Sequence, residues 1–551
     1  MSMKRILYSA LLLLCLSSCS EDLSEYFTRA DEQEARNKEQ EARNKELEYR
    51  NKKLREEALR LQARLDSLAN VYNQTPARSG LVAMAFSAAE NPILKEDLHC
   101  EVSEYEGLVE CWIPTLVDSK ELTPRFSFKG SEVRINGESV ASGSKKFDFT
   151  APVTLTVVAP DKTHTYTVYV HAYTGLPVMR INTAGGVAIE SKEEYVDAHM
   201  TLKEDVLTRG PGDYIEADLQ IKGRGSSSWS QPKKPYRLKF NEKVALLGEH
   251  KDKAWILIAN YTDKSMIRNH LAFHLGKMSN LDWTPNSHFV ELFLNGKYNG
   301  TYLLCEKIKI SDHRVAVGDD GFIFEVTGKA EEEDAPYFTT GAIDYPVQIK
   351  APSVEWGSAD FTYASSVVSN CENALFTGAS NLWDSYLDLD SFVDWYLIHE
   401  ISKNEDSMFH ISCFMNMKRG GKLKMGPIWD FDIAFGNVKE ESNTTAMLPE
   451  GTELEWSQWY TRLMHDRTFV KKLKERYNYF YSHKSDIMAF INEDAHYLKY
   501  AAQENEAKWG TLYHYTYKQY DIWGSYQNEA QSLKDWLDRR MEWLKKYMDS
   551  L

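Results

Sequence analysis

A seven-residue repeat near the N-terminus constrains this chain more than any other single feature. Glu34-Ala-Arg-Asn-Lys-Glu-Gln40 is followed at once by Glu41-Ala-Arg-Asn-Lys-Glu-Leu47, after which Leu47, Leu54, Leu61 and Leu68 share one heptad position. Such a period fits a helix and cannot serve a strand, whose side chains alternate with period two. The companion position carries Asn37, Asn44, Asn51, Ala58 and Leu65. Asn at a coiled-coil core site trades stability for a defined register and strand number. Residues 25–73 are therefore expected to form a coiled-coil helix and, through it, a homo-oligomer. A single charge-stabilised helical spacer is the competing reading.

Ahead of the repeat stand Lys4-Arg5, an apolar run from Ile6 to Leu16, and Ser17-Ser18-Cys19. A permanent span needs about 20 apolar residues, so this run suits the core of an export signal instead. Leu16-Ser-Ser-Cys19 resembles the bacterial lipobox, which marks 1–19 as a signal peptide and Cys19 as the lipidated residue. The expected location is the cell envelope, with a lipid anchor in the outer membrane or at the cell surface. The 65 Lys and Arg against 81 Asp and Glu leave a net charge of −16. Phosphate backbones would be repelled, and nucleic acid is not an expected partner. Cys100 and Cys111 could face each other across a hairpin, whereas Cys305, Cys371 and Cys413 lack zinc-site spacing.

After Thr75-Pro76 the periodicity changes. Arg125-Phe-Ser-Phe-Lys129, Val133-Arg-Ile135, Val153-Thr-Leu-Thr-Val-Val158 and Thr165-Tyr-Thr-Val-Tyr-Val170 alternate apolar and polar residues, and Asn136-Gly137 is a tight-hairpin signature. Residues 80–175 are expected to form an immunoglobulin-like β-sandwich. From residue 178 to 550 strands and helices mix, ending in an amphipathic stripe through Leu533, Trp536, Leu537, Arg540, Met541, Trp543, Leu544 and Met548.

Three segments of this last region carry polar groups that packing alone would not require. In Arg224-Gly-Ser-Ser-Ser-Trp229-Ser-Gln-Pro-Lys-Lys234-Pro-Tyr-Arg-Leu-Lys239, consecutive Gly and Ser let backbone N–H groups turn toward one anion. Arg224, Ser226 and a lysine, Lys234 or Lys239, could add donors to a phosphate. Asn295-Gly296 predicts a hairpin whose second strand ends at Glu306-Lys307, and Glu306 could hold Lys234 or Lys239. In Trp429-Asp430-Phe-Asp432, two carboxylates in apolar surroundings are costly unless paired or bound to metal. On an extended chain they would point the same way and suit Mg²⁺. Asp432 capping a helix is the structural alternative, and Asp406 could orient or deprotonate a hydroxyl.

Together, in this order, Arg224-Gly-Ser-Ser-Ser, Lys233-Lys-Pro-Tyr-Arg-Leu-Lys239, Leu294-Asn-Gly-Lys-Tyr-Asn-Gly-Thr-Tyr302, Glu306-Lys307 and Trp429-Asp-Phe-Asp432 resemble the CotH kinase family, named for spore-coat protein H. The resemblance implies an α+β chain whose C-terminal domain has an atypical protein-kinase-like fold, binds ATP with Mg²⁺ and phosphorylates protein Ser or Thr. By position Asp406 resembles the catalytic aspartate and Asp430 the metal-holding one, with Asp432 auxiliary. Arg224 and a lysine of the 234–239 strand resemble the phosphate contacts. Many relatives carry an Asn soon after the catalytic aspartate, whereas here the run is Asp406-Ser-Met-Phe-His-Ile-Ser412-Cys. That departure sustains an alternative, a non-catalytic surface scaffold or adhesion lipoprotein. Abundant Trp suggests a third class, a carbohydrate-active protein, although paired carboxylates alone do not define one.

Overall fold

A computed structural model describes residues 79–551, apart from 95, 117–119, 204–213, 331–334, 378–381, 408, 410, 439–447, 455–456 and 517–520; for Asp406 it describes the backbone alone. The expectations for residues 1–19, Cys19 and the 25–73 helix lie outside the described residues. By internal contacts the chain divides into two compact units. Of the described residues, 79–82, 127–139 and 156–165 form one, while those within 83–126, 140–155 and 166–551 form the larger unit.

The N-terminal region is built from short strands: β1 (Gly80–Phe86), β2 (Leu98–His99), β3 (Glu101–Ser103), β4 (Leu108–Ile113), β5 (Glu121–Leu122), β6 (Arg125–Lys129), β7 (Glu132–Ile135), β8 (Glu138–Ser139), β9 (Phe147–Asp148), β10 (Val153–Val158) and β11 (Thr163–Ala172). In the smaller unit β7 and β8 form the hairpin expected at Asn136-Gly137. In the larger unit β4 pairs antiparallel with β3 and parallel with β11. Val109, Cys111 and Ile113 are buried while the residues between them are half-buried, the alternation that one covered sheet face imposes.

A closed barrel follows in the order β12-β13-β14-β15-β16-β18-β17. Its strands are β12 (Val178–Thr183), β13 (Val196–Lys203), β14 (Tyr214–Gly223), β15 (Tyr236–Val244), β16 (Asp252–Ile258), β17 (Ser287–Leu294) and β18 (Lys297–Glu306). Parallel pairing of β12 with β17 closes the ring and the remaining pairs are antiparallel. The β17–β18 hairpin turns at Asn295-Gly296, at φ +49° and +74°, as a two-residue turn between right-twisted strands requires. Inward residues such as Leu238, Phe240, Trp255 and Leu304 fill the interior.

A second sheet has the order β20-β21-β19-β22-β23, from β19 (Phe322–Val326), β20 (Tyr337–Phe338), β21 (Val347–Ala351), β22 (Cys413–Met417) and β23 (Lys424–Met425). The helices are α1 (Ser227–Ser230), α2 (Arg268–Lys277), α3 (Ala359–Thr377), α4 (Leu389–Ser402), α5 (Gln458–Leu463), α6 (Arg467–Ser482), α7 (Lys484–Tyr497), α8 (Lys499–Trp509) and α9 (Tyr526–Ser550). Every residue of α4 from Ser391 to Ser402 is buried, which makes it a central helix rather than a surface one. Its end at Lys403, φ +47°, delivers the chain to the turn that carries Asp406. α9 realises the expected stripe, burying Leu533, Leu537, Met541 and Leu544, with Trp543 half-buried and stacked on Tyr547. The chain is a mixed α+β protein.

Candidate functional site

The segment between β14 and β15 makes one wall of a narrow pocket. Arg224 donates its amide to the Pro235 carbonyl, and its guanidinium lies 5.4 Å from the Trp429 ring centroid. Gly225 follows at φ +84°, where a Cβ would run into the Ser228 hydroxyl, so the loop closes only around a glycine. Lys233 is wholly buried. Its ammonium donates to the Asn505 Oδ1 on α8 at 2.8 Å and to the Thr301 carbonyl on β18. Burial pushes Lys233 down to about 7, against the pull of Glu291. Glu291, also buried, is pushed up to about 7 although Thr174, Tyr298 and Thr301 donate hydroxyls to it.

The opposite wall comes from the turns around Trp429–Asn437. Asp430 adopts φ +69°, so the two carboxylates do not sit on an extended chain as expected. Hydrogen bonds hold this bend: Asn404 Nδ2 donates to the Asp430 carbonyl at 2.9 Å, and the Ser412 hydroxyl donates to Asp430 Oδ2 at 3.2 Å. Phe431 N donates to Asn269 Oδ1 on α2 at 2.9 Å. Thr262 Oγ1 donates to Asp432 Oδ2 at 2.8 Å, and Asn437 Nδ2 to the Asp432 carbonyl at 2.6 Å. Residues after Asp432 form turns, so the helix it might have capped is not there. Beneath the bend the His399 ring stacks on Phe431 at 5.0 Å; burial pushes it down to about 3, so it stays neutral at physiological pH.

Arg224, Ser228, Lys233, Thr262, Asn269, Asp430 and Asp432 all line this pocket, whose cavity volume is about 30 Å³. Of the residues expected from sequence, it therefore gathers Arg224, Asp430 and Asp432. Ser226 is exposed beside it, and Ser228 lines the wall instead. Lys234 folds back on Trp229, donating to its carbonyl at 2.6 Å. Lys239 is exposed, 5.6 Å from the Tyr195 ring, because Tyr236, Leu238 and Phe240 take the buried face of β15. Glu306 holds neither lysine: it accepts from Arg314 Nε at 3.3 Å and from the Asn286 amide at 3.0 Å. Asp406 lies in the one-turn helix Glu405–Ser407, and its side chain is outside the described residues. A wider cleft beyond Phe435–Asn437 has more space, about 880 Å³. Arg268 there pairs with Asp263 and Asp538 with Lys484, while Asp521, Glu529, Asp535 and Arg539 also line it; the residues expected from sequence line the narrower pocket instead.

Sequence reasoning passed over Lys233, Asn404 and Ser412. Nothing local separates Lys233 from Lys234; only the inward turn of the chain before β15 does. Asn404 and Ser412 act through Asp430, which is distant in sequence.

Comparison with known proteins places the C-terminal region in a family. A family model described as CotH kinase protein matches residues 220–544, and a second, described as SGBP, N-terminal, matches 92–170. No curated protein is significantly similar. One solved structure, from Bacteroides thetaiotaomicron and provisionally described as a glycoside hydrolase, has 13% identity and a TM-score of 0.15 over 52% of this chain and 77% of its own. A likeness at that level decides nothing about this fold. The CotH match runs from β14, ahead of Arg224, into α9, takes in every residue that lines the pocket and covers more than half of the 551 residues: the chain belongs to the CotH kinase family.

Proposed function

We propose that this protein is an exported atypical kinase that transfers the terminal phosphoryl group of ATP to a Ser or Thr hydroxyl of a protein acceptor. One juxtaposition supports the reading: two cations, Arg224 and Lys233, and two carboxylates, Asp430 and Asp432, line a single pocket in a member of a kinase family. Among the described residues no three His, Cys, Asp or Glu side chains assemble into a metal cage. Mg²⁺ does not need one, since it is held by one or two carboxylates with phosphate oxygens and waters. Asp430 and Asp432 fit that donor set and would hold the ion. When bound, Mg·ATP supplies the transferable group and neutralises its charge.

The remaining work falls to the chain. Arg224, steadied over Trp429, offers planar donors to phosphate oxygens, and an anion beside Lys233 would draw it to its charged form. Ser412 and Asn404 keep the Asp430 carboxylate and backbone in place. Asp406, the catalytic aspartate by family pattern, would take the acceptor hydroxyl's proton as its oxygen bonds to the terminal phosphorus and the bond from that phosphorus to the bridging oxygen breaks, releasing ADP. A kinase-like fold for 178–550, an immunoglobulin-like sandwich for 80–175, a coiled-coil stalk for 25–73 and a lipid on Cys19 complete the proposal of an envelope-anchored enzyme. One observation favours a second reading, a non-catalytic scaffold: the run Asp406-Ser-Met-Phe-His-Ile-Ser412-Cys lacks the Asn that many relatives carry soon after the catalytic aspartate.

Mg²⁺-dependent phosphoryl transfer, to this chain or to added protein, tests the choice. Transfer by the wild type that an Asp406→Ala, Asp430→Ala double variant loses supports the kinase; equal transfer by both overturns it. A true site should also raise Tm with Mg·ATP, by the equivalent of about 2.7 kcal/mol at a hundredfold excess over Kd. A scaffold shows no such rise.

A further inference from the structure

β3 and β4 run antiparallel, with Glu101 opposite Glu110, Val102 opposite Val109 and Ser103 opposite Leu108. One further step in this register sets Cys100 opposite Cys111. Each is also fixed from its other side. The Cys100 amide donates to the Met84 carbonyl at 2.8 Å, and Cys111 is in register with Val170 of β11. Directly opposed antiparallel residues have Cα atoms about 4.5–5.5 Å apart, within the roughly 4.4–6.8 Å that a disulfide spans. Cys100 is half-buried and Cys111 buried, both as free thiols.

We propose that Cys100 and Cys111 are an oxidisable pair that forms a cross-strand disulfide by exchange with a disulfide oxidant such as glutathione disulfide. The more accessible Cys100 thiolate attacks the oxidant and expels one thiolate, leaving a mixed disulfide. The Cys111 thiolate then attacks the Cys100 sulfur and expels the second. Two protons leave the protein thiols, and two electrons reduce one disulfide to two thiols. The neighbouring Cys111 thiol pushes Cys100 well above the usual thiol range, so exchange is slow at neutral pH and quickens as pH rises. Burial pushes Cys305 and Cys371 up to about 12, which keeps them out of the exchange. The new bond closes the 101–110 loop in folded and unfolded chain alike, restricting the latter. This inference stands independently of phosphoryl transfer.

The test equilibrates the folded full-length chain in glutathione buffers of increasing oxidised fraction, quenches with acid, alkylates under denaturing conditions and maps peptides without reduction. The expected product joins the Cys100 and Cys111 peptides with loss of two hydrogens, forms faster at pH 9 than at pH 7, and raises Tm over the reduced chain. A Cys100→Ser variant should lose both the linkage and the oxidation-dependent rise in Tm. Recovery of Cys100 and Cys111 as alkylated thiols or glutathione adducts in the most oxidising buffer overturns the proposal, whatever the variant does.

Discussion

Asp430 at φ +69°, Ser412 at +54°, Phe409 at +61° and Phe435 at +52° hold a backbone conformation that side chains avoid. Each such residue costs of order 1–3 kcal/mol and persists only where its surroundings over-determine it. Hydrogen bonds from Asn404 and Ser412 do this for Asp430. Asp430→Gly should therefore leave unfolding free energy unchanged or raise it by about 1 kcal/mol while abolishing the rise in Tm with Mg·ATP. A urea-measured loss of 2 kcal/mol or more would mark the carboxylate as structural. Lys233 and Glu291 supply a pH signature. Glu291, at about 7 in the fold against an ordinary 4.5, binds its proton more readily folded than unfolded, so stability falls as pH rises from 4.5 to 7. Lys233, at about 7 against 10.5, does the reverse between 7 and 10.5. The pair places a local minimum of stability near pH 7. Urea midpoints at pH 5, 7 and 9 should show the dip in the wild type and a flatter profile in a Lys233→Met, Glu291→Gln double variant.

At the level of elements, α4 and α9 set the platform under the Asp430 bend. Arg540, wholly buried on α9, donates to the Glu400 carbonyl and carboxylate on α4, both at 2.8 Å, and to the Pro449 carbonyl at 2.9 Å. Glu400 in turn accepts the amides of Glu453 and Leu454. Two helices and the stretch downstream of Asp432 thus share one buried ion pair. Arg540→Met leaves Glu400 buried without its cation and should cost about 3–5 kcal/mol in chemical unfolding, with part recovered on adding Glu400→Leu. Asp466 caps α6 by accepting the amides of Thr468 and Phe469 and also accepts from the Trp383 indole. Asp466→Ala should cost about 1–2 kcal/mol, and no larger loss is expected because α6 remains anchored by Phe469, Leu473 and Tyr477.

The whole molecule carries a net charge of −16, so a nucleotide must reach Arg224 and Lys233 against the long-range field. Raising ionic strength from 0.01 to 0.15 M shortens the screening length from about 30 to 8 Å. Stopped-flow association of Mg·ATP should quicken over that range, opposite to the behaviour of a basic phosphate-binding protein. A rate that falls with salt would show that the pocket's own cations dominate the approach.

Local pattern alone announced the hairpins at Asn136-Gly137 and Asn295-Gly296 and the amphipathic stripe of α9, and it singled out Arg224, Asp430 and Asp432, which the fold gathers along one pocket, because turn chemistry, periodicity and carboxylates in apolar runs are written in consecutive residues. Closure of the barrel through the parallel β12–β17 pair was not legible, since it depends on which distant strand offers a free edge. The choice among neighbouring lysines was also tertiary. Lys233 reaches Thr301 and Asn505 only because β18 and α8 come together there, whereas Lys234 and Lys239 find partners on nearer surfaces. Sequence by itself determined the kinds of group this protein brings to its pocket; the folded chain decided which copies arrive, because burial and hydrogen bonding are settled by residues far apart along the backbone.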